Sequence, residues 1–149
     1  MKSFLLKNNI PIVKWGLIPD NTFFQGIVPD GYDLAVCPSG SYVILDVDVK
    51  DGKNGFNHIP EEDLKELNYS FHYNTKSGGA HYWLDYTGNK VLLNKSTSLG
   101  LDLRIGKNEK TGNNGGYVKY RYNKDIRECT HLIKKTGKEL NEFLEKLFM

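Results

Sequence analysis

Two aspartates, Asp46 and Asp48, stand two residues apart within the hydrophobic run 42–49. Alternate side chains of a β-strand point to the same face, so a strand here puts both carboxylates on one face and Leu45 and Val47 on the other. Neighbouring carboxylates repel each other, and a divalent cation relieves that repulsion. Oxygen ligands favour Mg²⁺ or Mn²⁺ over zinc. The pair therefore predicts metal-assisted chemistry on phosphate groups.

Two further segments carry residue types that suit the same chemistry. Segment 75–81 is a Ser-Gly-Gly turn that leads into a strand with His81 at its start. Segment 100–104 is a strand in which a lone acid, Asp102, stands between leucines and before Arg104. Each has a purely structural alternative, because a histidine often ends a strand and Asp102 can pair with Arg104 or with a backbone N–H. Taken together with the aspartate pair, the segments indicate one site.

The composition is that of one folded domain, since 149 residues with 39% hydrophobic content can bury a core. The net charge of +2 does not by itself indicate nucleic acid. Bases concentrate in 104–138 and acids in 46–66, which suits a polyphosphate or nucleic-acid ligand, although an ordinary mixed surface explains the charges equally well. Cys37 and Cys129 form no CxxC pair, which argues against zinc and against a disulfide framework.

No apolar run approaches the roughly 18 residues of a membrane span, and the apolar patch within 1–12 is too short for a signal peptide. We therefore expect a cytoplasmic protein with no membrane partner. Aromatic side chains cluster on the predicted strands, where exposed rings would stack on bases of single-stranded DNA. For any single ring, burial in the core is the favoured interpretation.

A sheet must bring the three segments together, and the hydrophobic pattern predicts one. The predicted strands are 34–36, 42–49, 70–75, 80–86, 99–105 and 117–122. Pro60 at a first helical position, followed by three acids, predicts a helix. Segment 137–149 predicts an amphipathic helix that packs on the sheet, with a capping box between Thr136 and Glu139. The expected fold class is α+β, a single domain over 1–149 with helices outside a strand-rich centre.

The three segments resemble the motifs of the primase-polymerase (prim-pol) domain of the archaeo-eukaryotic primase superfamily. In that family a strand with an acidic DxD-type pair comes first, a Ser-Gly-Gly-x-His turn second, and a Gly-Leu-Asp-hydrophobic-Arg strand third, before a glycine-rich approach to Tyr-Val-Val. The corresponding segments of this chain are 43–48, 75–82, 100–104 and 115–119. The resemblance covers about 30–122 and implies the archaeo-eukaryotic primase-like architecture, a mixed or antiparallel sheet core flanked by helices.

The resemblance also implies an activity, that of a DNA primase/polymerase. Such an enzyme is a template-directed nucleotidyltransferase that adds nucleotides on single-stranded DNA during replication, by two-metal phosphoryl transfer. Three acids would be catalytic and would bind two Mg²⁺ or Mn²⁺ ions: Asp46, Asp48 and Asp102. His81 would hold the phosphates of the incoming nucleoside triphosphate. Further candidates for phosphate contacts follow from side-chain and backbone chemistry: Lys76, Ser77, Gly78, Gly79 and Arg104.

Relatives in that family often carry a helicase domain after the prim-pol domain. Because this chain ends at Met149, we expect any replicative helicase to be a separate partner, and the resemblance suggests a phage- or plasmid-encoded protein in the host cytoplasm. Two other functions stay open from the sequence. One is a catalytically weak module that binds single-stranded nucleic acid or nucleotide and recruits a helicase. The other is a metal-dependent nuclease that uses the same carboxylates.

Overall fold

Two helices and twelve strands are formed within the residues that the computed structural model describes, which are 1–107, 115–120 and 132–149. The helices are α1 (Glu61–Asn68) and α2 (Lys138–Phe148). The first six strands are β1 (Lys2–Lys7), β2 (Ile10–Pro11), β3 (Tyr32–Cys37), β4 (Tyr42–Val47), β5 (Val49–Lys50) and β6 (Lys53–Asn54). The other six are β7 (His72–Asn74), β8 (Ala80–Asp85), β9 (Lys95–Ser96), β10 (Leu101–Ile105), β11 (Val118–Tyr120) and β12 (Lys134–Lys135). Short 3₁₀ helices occur at Trp15–Leu17 and Gly55–His58.

The larger sheet has the order β12-β8-β4-β10-β9, with β7 also paired to β8. All of its pairings are antiparallel except that of β12 with β8. Alternate residues of β4, β8 and β10 face the two helices and form the main hydrophobic core, as period-2 alternation requires. Leu45, Leu103 and Phe148 are fully buried there. Because side chains alternate along a strand, the remaining residues of these three strands point to the opposite side of the sheet.

The smaller sheet has the order β11-β3-β1-β2 and is antiparallel throughout. Val36 and Val118 of this sheet pack with Ile44 and Trp83 of the larger one, so the two sheets meet through their apolar side chains. Cys37 lies buried on the other face as a free thiol. Cys129 lies outside the described residues.

The strand predicted at 42–49 ends earlier, at Val47. The Asp48 N–H still donates to the Gly100 carbonyl (2.8 Å), but the Asp48 carbonyl accepts the Gly55 N–H (2.9 Å), and the residues after Asp48 pair as β5 with β6. Helix α1 starts one residue later than predicted, with Pro60 as its N-cap residue. Of the predicted strand 117–122, the described part is β11, and the last two residues lie outside the described ranges.

The predicted capping box of α2 is wrong. The N-cap residue is Gly137, whose side chain offers no acceptor, and its N–H donates to the Glu66 carboxylate of α1 (3.1 and 3.3 Å). Thr136 is occupied elsewhere, because its Oγ1 accepts the Thr87 N–H (3.0 Å). An acid from a distant helix thus takes the role that the local sequence motif assigned to Glu139.

The described residues form a single small α+β domain with mostly antiparallel sheets and two helices, which confirms the predicted fold class. Neither helix of the described residues is long and apolar enough to cross a membrane.

Candidate metal centre

A row of polar side chains crosses the three central strands of the larger sheet. Asp46 on β4 lies directly opposite His81 on β8 and directly opposite Asp102 on β10. Directly opposite residues share a face, and the neighbours of these residues, such as Leu45 and Leu103, fill the helix-side core. Burial of that core therefore places His81, Asp46 and Asp102 side by side on the other face.

Asp48 joins the row from just beyond the end of β4. Its N–H donates to the Gly100 carbonyl, and its own carbonyl accepts the Gly55 N–H (2.9 Å). Gly100 has a φ of +81°, and a Cβ there would lie 3.0 Å from the Asp48 carbonyl oxygen. Glycine is thus required for both the backbone conformation and the close approach. One hydrogen bond thus ties Asp48 to the residue before β10, and the other ties it to the start of the 3₁₀ helix Gly55–His58.

The structure brings together all three acids that the sequence predicted. One carboxylate oxygen from each of Asp46, Asp48 and Asp102 lies within 4.8 Å of the others. All three side chains are partly buried. Hard divalent cations such as Mg²⁺ and Mn²⁺ prefer oxygen ligands, and carboxylates in particular. The donor set therefore fits the predicted ions.

The charges of this cluster are only partly compensated by its neighbours. Burial raises the pKa of Asp48 above its ordinary value, and the negative charges of Asp46 and Asp102 raise it further. The Asp102 carboxylate accepts the Thr97 N–H (3.2 Å) and pairs with the Arg104 guanidinium (3.2 Å). Three carboxylates thus share a site in which one of them, Asp102, is ion-paired with a guanidinium. The remaining negative charge favours binding of an additional cation.

His81 makes contacts that the sequence did not predict. Its Nδ1 lies 2.9 Å from the Tyr73 hydroxyl and its Nε2 lies 3.3 Å from Asp46 Oδ1. The side chain is 9% exposed. Both ring nitrogens therefore face protein partners in this structure, while the predicted contact of His81 with phosphates stays a prediction.

The Ser-Gly-Gly turn joins β7 to β8. The Thr75 N–H donates to the Gly79 carbonyl (2.9 Å), and the Gly78 N–H donates to the Thr75 carbonyl (3.1 Å). Gly78 has a φ of +92°, and a Cβ on Gly79 would lie 2.0 Å from the Val47 carbonyl oxygen. The glycines thus serve the turn and its close packing on the end of β4. The Gly78 N–H, predicted to meet phosphate, is used within the turn.

A cavity of about 360 Å³ opens beside the acids. Its lining combines two of the carboxylates with the turn and with lysines: Asp46, Asp48, Lys50, Tyr73, Asn74, Thr75, Lys76, Ser77, His81 and Lys119. Lys76 and Ser77 were predicted as phosphate contacts, and both are exposed here. Arg104, predicted in the same role, pairs with Asp102.

Sequence reasoning missed Lys50 as a lining residue and Tyr73 as the partner of His81. A signal for Tyr73 was present, because Tyr73 and His81 are equally distant from Ser77 at the centre of the turn. A hairpin closed by that turn pairs the two residues, and this is the observed register. No comparable signal pointed to Lys50, which follows the end of β4.

The aromatic side chains divide as the favoured interpretation predicted. Tyr73, Tyr82 and Trp83 are buried and form part of the core, so their rings are not available to stack on bases. Tyr69 is 68% exposed. Lys119 on β11 lies 3.7 Å from the Asp33 carboxylate.

The arrangement joins an oxygen-rich cation site to a cavity lined by lysine and hydroxyl groups. Such a site can bind a divalent ion together with a phosphate-bearing ligand. No family model matches this chain, and a search of the curated proteins found no match.

Proposed function

We propose that this protein is a template-directed nucleotidyltransferase, a DNA primase/polymerase that adds nucleotides on single-stranded DNA. The observation that carries the proposal is the convergence of Asp46, Asp48 and Asp102 beside a cavity whose lining includes two of these acids together with Lys50 and Lys76. Phosphoryl transfer needs alignment of the reactants and neutralisation of charge more than it needs covalent chemistry. A cluster of carboxylates beside a basic cavity supplies both.

Asp46, Asp48 and Asp102 would hold two Mg²⁺ or Mn²⁺ ions. Such ions, when bound, neutralise the triphosphate and align the attacking 3′-oxygen with the pyrophosphate leaving group. In the cavity, Lys50 and Lys76 would bind the phosphates of the nucleoside triphosphate by charge-assisted contacts. Arg104 keeps Asp102 in place through their ion pair.

The order of the motifs along the chain supports the finer assignment to a primase-like fold. Segments 43–48, 75–81 and 100–104 are distant in sequence, yet they lie on neighbouring strands at one end of one sheet face. A prim-pol domain would take single-stranded DNA as its template and nucleoside triphosphates as its substrates. We further propose a replicative helicase as a partner and the cytoplasm of a phage- or plasmid-bearing host as the place of action.

The proposal is tested by primer extension with purified protein, Mn²⁺, a primed single-stranded template and labelled nucleotides. We expect extension by the wild type and its loss in Asp46→Asn and Asp102→Asn. Asp51→Asn is the matched control, because Asp51 is exposed in the turn between β5 and β6. Its φ of +53° suits asparagine, so this variant should extend the primer as the wild type does.

A second candidate is a module that binds single-stranded nucleic acid or nucleotide and recruits a helicase without turnover. It is favoured by the engagement of both His81 ring nitrogens within the protein. Binding of DNA or nucleotide with no extension and no primer synthesis by the wild type would establish this candidate. Cleavage of the labelled strand in the absence of triphosphates would instead identify a nuclease.

A further inference from the structure

A chain of hydrogen bonds runs from the interior of the protein to the candidate metal centre. The Trp83 indole Nε1 lies 3.3 Å from the Tyr73 hydroxyl, and that hydroxyl lies 2.9 Å from His81 Nδ1. His81 Nε2 lies 3.3 Å from Asp46 Oδ1. The strand register places Tyr73 opposite His81 and His81 opposite Asp46, so the pairing of the strands aligns these hydrogen-bonded groups.

The chemistry of the donors and acceptors sets which group donates in each of these hydrogen bonds. An indole N–H can only donate, so the Tyr73 oxygen accepts from Trp83. A carboxylate can only accept, so in the contact with Asp46 Oδ1 it is His81 Nε2 that carries the proton. In a neutral ring Nδ1 is then the acceptor, and the single hydroxyl proton of Tyr73 is donated to it. Burial raises the pKa of Tyr73 well above its ordinary value, so the hydroxyl keeps its proton at neutral pH.

We propose that Tyr73 is a positioning residue for the metal centre, acting through His81 on the Asp46 carboxylate. By donating to Nδ1, the Tyr73 hydroxyl selects the Nε2–H form of His81, and that N–H holds Asp46 Oδ1 in a fixed orientation. Hydrogen-bonded partners of metal ligands commonly set ligand orientation in this way. The inference rests on the metal centre of the proposed function, and it gives His81 a role that does not depend on contact with phosphates.

Tyr82 provides a matched control for Tyr73. Both tyrosines are buried, with 3% exposure for Tyr82 and 4% for Tyr73, and each uses its hydroxyl in a side-chain hydrogen bond. Tyr82 lies next to His81 on β8, but it faces the helices and donates to Asn68 Oδ1 (3.2 Å). Replacing either tyrosine by phenylalanine keeps the ring and removes one buried hydroxyl. Only Tyr73→Phe removes a hydroxyl that leads to Asp46.

The first measurement is the affinity for Mn²⁺ alone, by titration calorimetry or by electron paramagnetic resonance of free Mn²⁺. We expect Tyr73→Phe to bind Mn²⁺ about 10-fold more weakly than the wild type. This is the low end of the loss in metal affinity that follows when a group hydrogen-bonded to a metal ligand is removed. Tyr82→Phe should bind as the wild type does. Equal affinity in Tyr73→Phe and the wild type, or an equal loss in both variants, would overturn the proposal.

The second measurement is the proton position on the His81 ring, from long-range ¹H–¹⁵N spectra at pH 8, with the signals assigned through His81→Gln. We expect the Nε2–H form in the wild type and in Tyr82→Phe, and a mixture of both neutral forms in Tyr73→Phe. An Nδ1–H ring in the wild type contradicts the inferred direction and overturns the proposal.

The outcomes also separate this inference from the proposed function. If the Mn²⁺ and ring-proton results are as expected but no primer is extended, nucleotidyl transfer is refuted and the positioning role stands. If the wild type extends primers while Tyr73→Phe binds Mn²⁺ unchanged, only the positioning role is refuted. A wild-type protein that binds no Mn²⁺ would overturn both.

Discussion

Two clusters of acidic side chains lie within the described part of the chain, and their charges are compensated in different ways. The strand cluster is the group Asp46, Asp48 and Asp102 on the larger sheet. The helix cluster lies where α1 and α2 begin to pack together and consists of Glu62, Asp63, Glu66 and Glu139. In each cluster the pKa of one aspartate is raised, Asp48 in the first and Asp63 in the second. Burial is the larger cause in both, and neighbouring negative charge adds to it.

The helix cluster is compensated by the fold itself. Glu62 and Asp63 lie in the first turn of α1, and Glu139 lies in the first turn of α2. The positive end of a helix dipole stabilises acids at such positions. Glu66 accepts the Gly137 N–H and so satisfies a backbone donor at the start of α2. Glu66 therefore stabilises the start of α2, and the two helix ends offset part of the repulsion among the other acids.

The strand cluster lacks this kind of support, because strands carry only small net dipoles. In the described ranges, Arg104 is ion-paired with Asp102, the His81 ring lies beside Asp46, and the charge of Lys50 acts on Asp48 without an ion pair between them. Among the described residues, a group of three ligand atoms close enough to share a metal ion occurs at the strand cluster. The comparison teaches that an acidic cluster indicates a binding site only when the backbone does not already use its charge.

The strongest test of this contrast compares catalysis after removal of one charge from each cluster. We expect Asp102→Asn to lower primer extension by about 10²–10³-fold, the size of effect seen when one element of charge stabilisation is removed. Glu66→Gln keeps an oxygen for the Gly137 N–H and should extend primers as the wild type does. Equal loss in both variants would show that the clusters do not differ in function.

Thermal denaturation with Mn²⁺ tests the same contrast without catalysis. At a concentration 100 times Kd, ligand binding stabilises the folded state by about 2.7 kcal/mol. For a chain of 149 residues this corresponds to a rise in Tm of roughly 5–10 °C. The rise should be lost in Asp46→Asn and kept in Asp63→Asn. A rise that survives in Asp46→Asn would place the ion elsewhere.

Loss of the helix cap should be visible in stability alone. Glu66→Ala removes the acceptor for the Gly137 N–H, and we expect it to lower the free energy of unfolding by about 1 kcal/mol, as other cap deletions do. Urea denaturation measures the loss, and Mn²⁺ affinity should be unchanged. If Glu66→Ala changes the free energy of Mn²⁺ binding more than the free energy of unfolding, the helix cluster contributes to metal binding and the contrast between the clusters is wrong.

The smallest expected effect is the pH dependence that Asp48 gives to the metal-free protein. Because its pKa is raised in the folded state, its contribution to stability is present below the ordinary value of 3.8 and is lost as the pH rises through the folded-state pKa. Asp48→Asn should therefore stabilise the metal-free protein more at pH 7 than at pH 3. Saturating Mn²⁺ should reverse the gain at pH 7, while the corresponding gain in Asp63→Asn should persist. Urea denaturation at both pH values provides the comparison.

Much of the sheet could be predicted from the sequence because apolar and polar residues alternate along it. The alternation at Leu45, Asp46 and Val47, and again at Leu101, Asp102 and Leu103, marks one buried face and one polar face. The Ser-Gly-Gly turn predicts a hairpin, and the apolar stripe near the C-terminus predicts α2. These are local signals, since each depends on residues that are close together in the chain.

The errors came where a distant group replaced a local one. Thr136 and Glu139 have the spacing of a capping box, but Glu66 occupies that place from another helix. The strand through Asp48 ends early because the Asp48 carbonyl accepts the Gly55 N–H. Neither competitor is recognisable from sequence spacing.

The sequence by itself determined which residues could bind a cation and which faces of the strands must be buried. Only the tertiary structure decided that Asp102 lies opposite Asp46, that Glu66 caps α2, and that His81 is held between Tyr73 and Asp46. The physical reason is strand register, because a shift by one residue would move every side chain of a strand to the other face. Burial of Leu45 and Leu103 against the helices excludes that shift, so the packing of the core places the acids of the opposite face.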